Sequence, residues 1–101
     1  MNAKGAVLKR VLPIVAPGAV QSMRRPVQVD VRVSVRRNGT VASAQSMTQG
    51  TGNYFARISR QAAQSWTFKP PISAGQARES EWMLLFRFDR RHSDVIATQL
   101  H

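Results

Sequence analysis

The chain has 101 residues, no cysteine, 43% hydrophobic and 20% charged residues. This composition suits one globular domain with a modest core, and it excludes a disulfide scaffold, a cysteine nucleophile and a thiolate metal site. Fifteen Lys and Arg, twelve of them Arg, against five Asp and Glu give a net charge of +10, which attracts anions such as nucleic acid, acidic lipid, a cell-wall polymer or an acidic partner.

The start of the chain is basic up to Arg10, and an apolar stretch runs from Val11 to Val20. That order imitates a secretory signal, but Pro13 and Pro17 interrupt the apolar part, which is also short. No apolar run approaches the roughly 20 residues that cross a bilayer. Pro17 suits the first turn of a short helix, Pro17 to Met23, where the missing N–H of proline costs little. Arg25-Pro26 ends it. Val27, Val29, Val31, Val33 and Val35 then alternate with polar residues, the pattern of a strand with one buried and one wet face. Asn38-Gly39 follows and predicts a hairpin through a type I′ turn. The return strand, Thr40 to about Met47, alternates poorly, so the turn rather than the pattern supports it.

Thr48 to Asn53 carries Gly50 and Gly52 and reads as a loop, with Asn53 as a helix N-cap. Phe55, Ile58, Ala62 and Trp66 recur on one face of a helix from about Tyr54 to Ser65 or Trp66. Lys69-Pro70-Pro71 stops it and favours extended backbone. Ile72 to Ser80 is a loop around Gly75. The last strong strand follows, with Trp82, Leu84, Phe86 and Phe88 on one face and Met83, Leu85, Arg87 and Asp89 on the other. Asp94 to Leu100 predicts at most a short further strand. The expected fold is α+β in two layers: a three-stranded antiparallel sheet, with a short fourth strand as an option, and helices on one face, in the order α-β-β-α-β. The expected organisation is a basic, mobile prefix over 1–12, a domain over 13–90 and a tail over 91–101.

Catalytic constellations are missing. The two histidines, His92 and His101, have neither a histidine partner nor paired carboxylates at metal-ligand spacing. Glu79 and Glu81 are best read as a solvated pair. Gly50-x-Gly52 completes no phosphate loop, and there is no Gly-x-Ser-x-Gly elbow. The expectation is a protein that is not an enzyme and carries no cofactor or metal. For nucleic acid, Arg32, Arg36 and Arg87 could share the wet face, yet that face offers Met83 and Leu85 instead of the aromatic rings on which bases stack.

Several features taken in order carry a resemblance. They are the Pro13–Met23 prefix with its small helix, the valine strand running into Asn38-Gly39-Thr40-Val41, and Ala44. The string Ala62-Ala63-Gln64-Ser65-Trp66-Thr67-Phe68-Lys69-Pro70-Pro71 follows, then Gly75 and a last strand ending Phe86-Arg87-Phe88. Together they resemble the C-terminal domain of the TonB family of energy transducers, with Ala-Ala-x-x-Trp-x-Phe-x-Pro as the most specific piece. Trp66, Phe68 and Pro70 read as packing residues that identify the fold.

The resemblance implies a periplasmic interaction domain that binds the extended N-terminal segment of an outer-membrane transporter as an added strand. Carried onto this chain, the receiving edge is Glu81, Trp82, Met83, Leu84, Leu85, Phe86, Arg87 and Phe88, and the partner-contacting prefix is Pro13, Ile14, Val15, Ala16 and Pro17. The prefix departs from the family's Pro-x-Tyr-Pro, and no membrane anchor or Pro-rich spacer precedes it. The chain therefore reads as a domain of a longer protein or as a stand-alone relative. Two rival expectations stand beside this one. One is a homodimer through the last strand, in which a second copy covers Met83 and Leu85. The other is a polyanion-binding domain using Arg32, Arg36, Arg57, Arg60 and Arg87.

Overall fold

The computed structural model describes residues 2–47 and 53–100. The loop expected over 48–52 and the capping side chain of Asn53 lie outside the described residues.

The described chain runs β1 (Ala6–Lys9), α1 (Pro17–Ser22), β2 (Val27–Val35), β3 (Val41–Ser46), α2 (Asn53–Gln64), β4 (Thr67–Lys69), β5 (Ile72–Ser73), β6 (Gln76–Ala77), β7 (Ser80–Phe88) and β8 (Ser93–Gln99). The α+β class is as expected. The optional fourth strand is present, so the main sheet has four antiparallel strands in the order β3-β2-β7-β8, and β1-β4 and β5-β6 form separate two-stranded pairs that were not expected. Both flanks, 1–12 and 91–101, thus contribute strands to the fold.

The alternation of β2 is realised residue by residue. Val29, Val31, Val33 and Val35 are buried, while Asp30, Arg32 and Ser34 stay half-buried on the other face. Each fully buried valine contributes roughly 1.5–3 kcal/mol relative to exposure. β7 lies beside β2 in unbroken register, Val27↔Phe88 through Val35↔Ser80, so Trp82, Leu84, Phe86 and Phe88 extend the same apolar face. α2 closes that face with Ile58, Ala62 and Ala63 buried, and Phe55 meets Phe88 at a ring-centroid distance of 5.0 Å. Trp66 and Phe68, both buried, stack at 5.9 Å. Phe68 reaches Trp82 at 4.9 Å and Trp66 meets Phe86 edge-on at 6.3 Å. Of the most specific string of the sequence, Ala62, Ala63, Trp66 and Phe68 are therefore core, and Pro70 is half-buried.

The Asn-Gly hairpin forms, but not as a type I′ turn. Gly39 N–H donates to the Arg36 carbonyl at 2.9 Å, and Arg36 N–H donates to the Thr40 carbonyl at 2.8 Å. Gly39 has φ +89°, whereas Asn38 is not left-handed, which is a type I turn followed by a glycine bulge. The reason is tertiary. Gly39 lies so close to β4 that a Cβ there would fall 2.0 Å from the Phe68 carbonyl oxygen, and its own carbonyl accepts the Phe68 N–H at 2.8 Å. Asn38 instead caps the loop, its Oδ1 accepting from the Thr40 amide and hydroxyl. Within the expected loop 72–80, Ala74 and Gly75 are both left-handed, at φ 54° and 77°, and join β5 to β6.

Candidate functional site

Strand order decides which backbone is open. β7 pairs with β2 on one side and with β8 on the other, from Trp82↔Gln99 to Phe88↔Ser93. Residues 81–88 therefore do not form a sheet edge, and the expectation that Glu81, Trp82, Met83, Leu84, Leu85, Phe86, Arg87 and Phe88 offer a free backbone row is corrected. Alternation along a strand reports its two faces and not its lateral neighbours. In this fold β2 and β8 take both sides of β7, so a copy of the strand would find no free side there to pair with. Met83 and Leu85 do lie on the face opposite the core, half-buried, with Ile96 of β8 exposed directly across from Leu85.

The last-strand edge belongs to β8. Its hairpin turn is built by Asp89, whose Oδ1 accepts the Arg91 amide at 2.7 Å and the His92 amide at 2.8 Å. Those two hydrogen bonds hold the Asp89 carboxyl below its ordinary pKa. At the other end the Leu100 amide donates to the Glu81 carbonyl at 2.7 Å. With an unshifted register between them, the N–H and C=O of Asp94, Ile96, Thr98 and Leu100 face β7, and those of Ser93, Val95, Ala97 and Gln99 face outward. Among the described residues no strand pairs with that outer row. Beside its end lies an open hollow of about 490 Å³ lined by Lys4, Gly5, Trp82, Ala97, Gln99 and Leu100. Such a row is a template for a further strand, and the hollow can seat the side chains of one.

The outer row is partly occupied by the chain's own prefix. Arg10 Nη1 donates to the Val95 carbonyl at 3.2 Å, and the Gly5 amide donates to Gln99 Oε1 at 3.0 Å. The prefix then crosses the core face. Trp66 Nε1 donates to the Val11 carbonyl at 2.9 Å, and the Ala16 amide donates to Tyr54 Oη at 2.8 Å. Pro13, Ile14, Val15, Ala16 and Pro17 consequently run over α2, where Val15 packs on the core and Ile14 is 90% exposed. A shallow groove between Leu12–Ile14 and the α2 residues Ile58, Gln61 and Ala62 accompanies them. The two halves of the expected site are therefore on different parts of the molecule, and the Arg10 and Gln99 side chains link the start of the chain to the β8 edge.

The arginines proposed for polyanion contact are dispersed. Arg32 forms an ion pair with Glu81 on the outer sheet face. Arg36 bonds the Thr40 hydroxyl and the Val41 carbonyl. Arg57 lies 5.6 Å over the Tyr54 ring on α2, where Arg60 is exposed. Arg87 is exposed on β7. The helix and the outer sheet face lie on opposite sides of the core, so these five do not make one surface. Among the described residues no group of three His, Asp or Glu side chains could hold a metal ion, and no helix is long and apolar enough to cross a membrane.

Residues 17–89 match the family model described as Gram-negative bacterial TonB protein C-terminal. No curated protein matches the chain.

Proposed function

The chain belongs to the TonB C-terminal family, and from that premise we propose that it captures an extended N-terminal peptide of an outer-membrane transporter, in the periplasm, as a strand added to the outer side of β8. Domains of this family are protein-interaction domains of transport systems, and that is the function class assigned to this chain. What supports the particular edge is one observation: β8 is the last strand, among the described residues no strand pairs with its outer N–H and C=O row, and a hollow opens beside Ala97 and Gln99. The incoming strand supplies main-chain partners for Ser93, Val95, Ala97 and Gln99, and its alternate side chains enter the hollow. Arg10 must leave the Val95 carbonyl for this to happen, so the prefix and the peptide compete for one acceptor.

The test is an amide NMR titration of the labelled chain with a transporter N-terminal peptide at about 0.15 M salt, where exposed charges are screened beyond ~8 Å. Saturable shifts centred on residues 93–99 are expected. Ala97→Pro removes one outward N–H without touching the hydrogen bonds to β7, since proline is tolerated on the solvent side of an edge strand. This variant keeps the fold and loses at least about tenfold in affinity, roughly the 1.4 kcal/mol that a lost ladder bond and a blocked strand require. Shifts centred on β3 instead, or a variant that binds as well as the parent, would reject β8 as the receiving edge.

A further inference from the structure

Four of the twelve arginines gather at one end of the sheet, and none of the function above uses them. Arg24 and Arg25 stand in the connection from α1 to β2, and Arg90 and Arg91 form the turn between β7 and β8. These pairs are more than sixty residues apart in the chain. The pairing of Val27 with Phe88 brings them together, and with Met23 and Pro26 they line an open cavity of about 270 Å³. We propose that this cavity binds a multiply charged phosphate group.

Three observations carry the assignment. Among the described residues none of the four guanidiniums forms an ion pair, so their charge is uncompensated except by Asp89, the one carboxylate in the lining. Asp89 is already committed to the turn through the Arg91 and His92 amides, with the His92 ring at 3.5 Å. It shapes the turn that carries Arg90 and Arg91, and the lining holds four arginines against this one carboxylate. Second, Arg90 is anchored: its Nε donates to the Met23 carbonyl at 2.8 Å, which fixes the plane of the fork and leaves the two terminal nitrogens to a ligand. Third, the lining is partly apolar, with the buried Met23 and the exposed Pro26 in it, and a charge-assisted hydrogen bond beside apolar surface is less weakened by water than one on a flat wet surface.

Guanidinium forks bind oxygen pairs bidentately, and phosphate offers several such pairs around one centre. A single carboxylate offers one pair and one charge, too few to engage four forks. The chemistry fits a pyrophosphate-like or phosphomonoester group, borne either by a soluble molecule or by a lipid headgroup.

The probe is inorganic pyrophosphate, titrated into the labelled full chain at constant ionic strength near 0.15 M and followed by amide NMR. Saturable shifts confined to residues 23–25 and 89–92 are expected. Arg25→Gln combined with Arg91→Gln spares the Arg90–Met23 contact and weakens binding at least about tenfold. Arg57→Gln with Arg60→Gln removes the same charge on α2 and changes binding less than about twofold. A flat titration, shifts scattered over all arginines, or equal losses in the two double variants would overturn the site. A second arm uses phosphatidylcholine vesicles with and without phosphatidic acid. Co-sedimentation only with the acidic vesicles, reversed by pyrophosphate, supports the site with a lipid headgroup as its ligand. Protein that stays in the supernatant while pyrophosphate binding persists supports it with a soluble phosphate.

Discussion

Ser59 is fully buried on α2, and its hydroxyl has no hydrogen-bond partner among the described residues. A buried hydroxyl left without a partner costs about 1–3 kcal/mol, and serine is also a weaker helix former than alanine by a few tenths. Ser59→Ala removes both penalties without enlarging the side chain. The expected result is a gain of about 1 kcal/mol, seen as a melting temperature higher by about 4–8 °C; a lower one would mean that the hydroxyl has a partner in solution. The helix face read from Phe55, Ile58, Ala62 and Trp66 was legible because large apolar residues announce burial. Ser59 was not, since a small polar residue gives no such signal even when it is completely enclosed. The same limit applies to Arg24, Arg25, Arg90 and Arg91. Two Arg-Arg pairs read as ordinary surface charge, and only the long-range pairing of Val27 with Phe88 makes them neighbours. Gly39 shows the converse. Asn-Gly correctly signalled a hairpin, but the turn type was set by the Phe68 backbone pressed against it, a contact that local sequence does not contain.

At the level of elements, periodicity located faces well and neighbours poorly. β2 and β7 alternate cleanly, and both were legible with their buried sides. That β7 lies inside the sheet rather than at its edge depends on β8, whose Val95, Ile96 and Ala97 are consecutive apolar residues that blur the alternation. β1 was illegible for a related reason: it is a four-residue strand whose partner, β4, is only three residues long, and its pairing is supported by the anchoring of Val11 on Trp66 and by Gly5 on Gln99. These anchors make the prefix a competitor at the β8 edge. Arg10→Ala breaks its one bond to the Val95 carbonyl. A hydrogen bond from a charged group at a partly exposed site contributes about 1 kcal/mol net, so the variant should bind the added peptide about fivefold more tightly by calorimetry. Weaker binding by Arg10→Ala would show that the arginine serves the peptide rather than competing with it.

At the level of the whole molecule, shape and charge act together. The principal extents are 50 × 22 × 17 Å, and the radius of gyration of 14.6 Å exceeds the ~13 Å typical of a compact 100-residue domain. Elongation places the hairpin at Gly39 and the arginine-lined cavity at opposite ends of β2, which spreads the charge, but a net +10 on so small a body still opposes the compact state through self-repulsion. Attractive pairs do little to offset it. The Arg32–Glu81 pair is only half-buried, and pairs that open to solvent contribute about 0–1 kcal/mol; Asp89 and His92 attract as an ion pair only where the imidazole is protonated. Screening should therefore relieve more repulsion than it weakens attraction. Raising sodium chloride from about 0.02 to about 0.5 M, which shortens the Debye length severalfold, should raise the melting temperature by several degrees. Chloride is the right anion for this measurement because it lacks the paired oxygens that the four guanidinium forks would grip, so the response reports screening and not occupancy of the cavity. A melting temperature that falls with salt would mean that the attractive pairs outweigh the repulsion. The arginine excess would then be part of what holds the fold together, rather than a cost the fold carries for an anionic partner.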